Sequence, residues 1–135
     1  MLMPFVVGVV LSVGVAVFAR AVGLDRDRAF YPVVTIVIAA YYILFALLGE
    51  SHQALWRESL ISIAFVIVAV VGFKRSLWMV VMALAAHGIL DYFHGAVVTD
   101  PGVPAWWPGF CLGYDVAAAA FLAWSLRSGR VRVAA

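Results

Sequence analysis

Apolar residues run along this chain in five long stretches, separated by short hydrophilic breaks. The stretches cover residues about 2–22, 31–49, 55–73, 76–96 and 106–126, each near the roughly 20 residues needed to cross bilayer hydrocarbon as a helix. The breaks are Asp25-Arg26-Asp27-Arg28, Glu50-Ser51-His52-Gln53, Lys74-Arg75 and the Pro- and Gly-rich stretch from Thr99 to Pro108. The pattern predicts an all-α fold, a polytopic membrane helix bundle of about five transmembrane helices in a single domain. The third stretch is the weakest. Its clean apolar run, Leu60 to Phe73, is too short to span, so its helix is expected to start near Leu55 and to draw Arg57 and Glu58 to the membrane's edge.

Composition agrees with the pattern. Of 135 residues 67% are hydrophobic and 12% charged, about half the charge of a soluble domain, which leaves too little polar side chain to coat a water-facing surface. The first stretch is read as a retained helix, because nothing basic precedes it as in a secretory signal.

Charge placement adds orientation. With five spans, one side of the bilayer receives Arg20, Arg26, Arg28, Lys74, Arg75, Arg127, Arg130 and Arg132, and the other receives Arg57 alone. Cytoplasmic loops retain Lys and Arg, so the N-terminus is expected outside and the C-terminus inside a cell (inner) membrane. Trp56, Trp106 and Trp107 would anchor the outer interface, and Trp78 and Trp124 the inner one. The basic residues form short topogenic clusters rather than a nucleic-acid-binding stripe. Membrane lipids, an apolar small-molecule substrate and a second copy of the chain are the partners this composition allows.

Ionisable residues inside a span are costly and usually face a bundle interior or cavity. The fourth stretch carries His87, Asp91 and His94, whose i, i+4, i+7 spacing places them on one stripe of a helix. The fifth adds Cys111 and Asp115 at i, i+4. Counting about 1.5 Å per residue from the basic ends puts His87 and Asp115 at about 18 Å, Asp91, Cys111 and Glu58 at about 24 Å, and His94 and Glu50 at about 28 Å. Residues from four helices thus reach one layer in the outer half, where Arg57 can pair with a single carboxylate.

A bound divalent transition metal, Zn²⁺, Fe²⁺ or Mn²⁺, would balance the remaining charge. Its ligands would be His87, Asp91, His94 and Asp115, with Glu50 and Cys111 as further candidates, and Glu58 as a further ligand or the general base for a metal-bound water. The lone cysteine excludes an all-thiolate site. Protons shared among the carboxylates and histidines are the alternative, either as a proton-handling or substrate-binding network or as a structural one. Tyr41 and Tyr42 read as packing residues, although one hydroxyl could reach the layer, and His52 as a solvated loop residue. Asp100 reads as a turn former. The Pro101–Pro108 loop reads as an interfacial anchor or a lid.

His87-x3-Asp91-x2-His94, a Pro-containing loop, and then Cys111-x3-Asp115 resemble a family of small bacterial multi-pass membrane proteins, with Trp56-Arg57-Glu58 matching a Trp/Glu element before the preceding span. The similarity covers roughly residues 40–126. Gly95 and Tyr114 depart from it, standing where a histidine and a cysteine are expected. The resemblance implies the site but no particular reaction. No phosphate-binding glycine loop, nucleophile elbow or His-Glu-x-x-His pair occurs. The sequence therefore points to a metal-dependent enzyme acting on a lipid or other apolar molecule, with a cation, proton or small-molecule carrier and a structural accessory subunit as the other readings.

Overall fold

The computed structural model describes residues Met1–Ala135 and contains five long helices and no strand. They are α1 (Leu2–Val22), α2 (Phe30–Leu48), α3 (His52–Lys74), α4 (Trp78–Val97) and α5 (Trp107–Arg127). All five are long and apolar enough to cross a membrane. The chain is an integral membrane bundle.

Local chemistry sets the helix ends. Gly23 closes α1 in a left-handed conformation, its N–H donating to the Ala19 carbonyl. The Ser51 hydroxyl caps α3 by accepting from the Ala54 N–H at 3.2 Å. This cap moves the start of α3 to His52, three residues before the expected Leu55, and places Glu58 well inside the helix. Pro108 sits in the first turn of α5, where its missing N–H costs nothing.

Around the bundle, α5 packs between α1 and α4, while α3 packs on α2 and α4. A Cβ on Gly8 of α1 would overlap the Phe110 carbonyl, and one on Gly113 of α5 would overlap the Phe5 carbonyl, so these glycines let the two backbones meet. From Leu77, which caps α4, the inward stripe continues along the helix through Val80, Leu84, His87, Asp91 and His94, all buried, at alternating spacings of three and four. Halfway along, that stripe changes from apolar to ionisable. The apolar half joins Leu122 and Leu126 of α5 in the main core.

Large apolar side chains meanwhile face outward, among them Val10, Phe18, Ile63, Ile67 and Met82. Ionisable groups inside and hydrocarbon outside is the arrangement a bilayer solvent imposes.

At the basic end, the segment after α5 folds back over the helix termini. Arg130 makes a two-pronged ion pair with buried Asp25, the Nη2–Oδ1 arm at 2.9 Å, and also donates to the Arg20 carbonyl. Hydrogen bonding to Asp25 holds that guanidinium above the usual arginine range. Arg28 donates to the carbonyls of Phe73, Arg132 and Val133, and the Leu77 N–H donates to Val133.

Candidate functional site

The ionisable half of the α4 stripe meets three other helices. His87 Nδ1 lies 2.7 Å from Asp115 Oδ2 on α5 and 3.3 Å from Asp91 Oδ2 one turn along its own helix. The three residues offer one donor atom each, all within 4.8 Å of one another. From α2, the Tyr42 hydroxyl donates to Asp91 Oδ1 at 2.5 Å. Phe65 of α3 abuts the His87 ring edge to face.

One level further from the basic end, His94 Nε2 pairs with Glu58 Oε1 of α3 at 2.6 Å. Tyr42 joins the two groups, because its ring stacks on that of His94 with centroids 4.1 Å apart while its hydroxyl reaches down to Asp91. Glu58, His87, Asp91, His94 and Asp115 are each at most 2% exposed.

The lower group is not satisfied within the protein. Asp91 Oδ2 and Asp115 Oδ1 are buried and have no hydrogen-bond partner. With both carboxylates ionised, a protonated His87 leaves one negative charge over. A divalent cation with neutral His87 leaves none. A single shared proton would also remove the excess, but a free carboxylate lone pair in hydrocarbon surroundings still forgoes a bond worth about 1–3 kcal/mol.

His87, Asp91 and Asp115 are therefore the members of the expected ligand set that meet. His94 stands seven residues from His87, about 10 Å along the helix, and is bonded to Glu58 instead. Glu58 is correspondingly a partner of His94, one level away from the three-donor group. Glu50 lies beyond the end of α2, exposed in a turn with positive φ of 52°, so it does not join. Cys111 is buried in the apolar core one turn before Asp115.

Arg57, expected to neutralise a carboxylate, is exposed and makes no ion pair; a histidine takes that place at Glu58. Asp100 accepts from the Gly102 N–H at 2.9 Å, the turn its sequence context predicts. Of the two adjacent tyrosines, Tyr42 is the one whose hydroxyl reaches the cluster. Its position could have been read from Thr35, Ala39 and Ala46, which share its face of α2 and are small or polar enough to be buried.

The fold and site define a multi-pass helical membrane protein with a His-Asp-Asp donor cluster inside the bundle. Comparison of the chain with protein-family profiles, with curated proteins and with solved structures finds no match.

Proposed function

We propose that this protein is a metal-dependent membrane enzyme in which His87, Asp91 and Asp115 hold a divalent transition metal ion. The observation that carries the reading is the convergence of three donors with two carboxylate oxygens left unbonded in a hydrocarbon-clad interior. Three protein ligands rather than four is the pattern of sites that keep a position open for water or substrate. One imidazole with two carboxylates suits Zn²⁺, Fe²⁺ or Mn²⁺.

Such an ion supplies Lewis acidity. The protein's own residues do the rest. Tyr42 fixes the Asp91 carboxylate through Oδ1 and turns Oδ2 toward His87. The Glu58–His94 pair, one level away, stacks on the Tyr42 ring and so steadies the hydroxyl that holds Asp91. The substrate is a lipid or another apolar molecule, since the site is enclosed by membrane-spanning helices. The basic end faces the cytoplasm and the site lies in the outer half of the membrane.

A metal-free proton network is the second reading, favoured by the fact that both site histidines already pair with carboxylates. Transport through the bundle has no such support. Toward the basic end the Thr35 hydroxyl bonds the Tyr31 carbonyl and the Ser62 hydroxyl bonds the Ala39 carbonyl, and the packed Leu77, Val80 and Leu84 side chains follow.

Elemental analysis of protein purified without chelator and dialysed against Zn²⁺, Fe²⁺ or Mn²⁺ tests the proposal. Close to one equivalent of metal is expected, with strong loss in His87→Ala and in Asp115→Asn. Protein that stays metal-free under those conditions, or variants that bind as much as the parent, would exclude the metal centre.

A further inference from the structure

The helix arrangement leaves a gap. The backbones of α1 and α5 stand away from that of α2, although Trp107 of α5 packs on Tyr41 and Phe45, and between the three helices lies a groove of about 420 Å³. That volume falls within the range of about 300–1,000 Å³ typical of small-molecule sites. Its walls include Leu11 and Val15 of α1, Val34 and Val37 of α2, and Phe110 of α5, and every lining residue is hydrophobic.

The groove lies at the level of the membrane-spanning segments, so what surrounds it is lipid hydrocarbon. Water gains nothing from such walls, and an empty groove forfeits dispersion contacts along its whole lining. Its back is formed by Ile38 and Cys111, buried residues that each precede a site residue by one helical turn: Ile38 leads to Tyr42 on α2, and Cys111 to Asp115 on α5. A chain lying in the groove therefore runs alongside the two helices that present the site.

We propose that the groove is the chain-binding subsite of the reaction, holding one acyl chain of a membrane lipid that enters sideways from the bilayer between α1 and α2. This rests on the reading of an apolar substrate and adds its class, an acyl lipid, and its route. Chain length is then selected by the groove, and the polar headgroup lies toward the end bearing Trp107.

Phosphatidylcholine vesicles doped with a phosphatidylglycerol carrying a diazirine on its acyl chain provide the test, with photolysis of the reconstituted full-length protein and peptide mapping of the adducts. Adducts are expected to concentrate on groove-lining segments of α1, α2 and α5. They should fall several-fold in Val37→Trp, a substitution at an exposed position, and remain in Ile63→Trp on the outer face of α3. Adducts spread evenly over all lipid-facing helices, or unchanged in Val37→Trp, would overturn the subsite. So would oxidative disulfide formation between copies carrying Leu11→Cys and Val37→Cys, which would give the groove to a second copy. Metal content measured on the same samples separates the two proposals: groove adducts on protein that binds no metal sustain the groove and sink the metal centre, and the converse holds equally.

Discussion

Tyr42 is the residue on which the two polar levels depend. Removing its hydroxyl in Tyr42→Phe strips Asp91 Oδ1 of its donor while leaving the stacked ring in place. A buried acceptor left bare costs about 1–3 kcal/mol, which unfolding in mixed micelles would register. Second partners of metal ligands also tune affinity by about 10–100-fold, so Tyr42→Phe should weaken metal binding by that order in a competitive chelator titration. The Glu58–His94 pair behaves differently. Glu58→Leu alone leaves His94 facing apolar neighbours and is expected to cost about 3–5 kcal/mol, whereas the double change Glu58→Leu/His94→Leu recovers most of it. Measuring all three stabilities checks this; a double variant that is stable yet inactive assigns the pair to chemistry rather than to packing.

Helix ends and close approaches carry the next set of consequences. Ser51 holds the first turn of α3, and Ser51→Ala should cost about 1 kcal/mol, seen as faster amide exchange confined to the residues just after it. Gly8→Leu forces α1 off the Phe110 carbonyl and is expected to destabilise by about 1–3 kcal/mol, with the loss of a disulfide engineered across α1 and α5 as readout. At this scale the sequence was most legible where spacing alone decides. The alternation of three and four along α4 gives the stripe, its face and its ionisable half without any structure. Distance along an axis is less informative than direction around it. Glu50 and His94 fall at one estimated depth, yet Glu50 is past the end of its helix and turned outward, while His94 faces α3. Likewise the Ser51 cap, a single hydrogen bond that hydropathy does not register, starts α3 at His52 and leaves Glu58 in its second turn, buried against His94.

For the molecule as a whole, the positions of the spans were readable because every helix must be apolar outside, and short hydrophilic breaks mark the segments between them. Which helices touch was not readable, since lipid-facing and helix-facing hydrocarbon look alike in sequence. The proposed orientation predicts that a fluorescent protein fused after Ala135 folds and glows, while alkaline phosphatase fused there is inactive; the opposite pair of results would invert the bundle. Release of the C-terminal segment is a separate expectation. Asp25→Ala removes the partner of Arg130, and the Gly129–Ala135 stretch should then become sensitive to trypsin in inside-out vesicles.

The place of α5 has a consequence in time. It is synthesised after the other four helices, it is the one surface on which α1 finds extensive packing, and it carries Asp115. The first helix must therefore wait in the membrane, essentially alone, until the ribosome has delivered the fifth. The donor cluster is completed in the same event. A chain interrupted anywhere before α5 holds His87 and Asp91 without their third member, so half-made protein is unable to assemble the proposed ion site, and quality-control proteases would meet a loose, undocked α1 as the mark of an unfinished molecule.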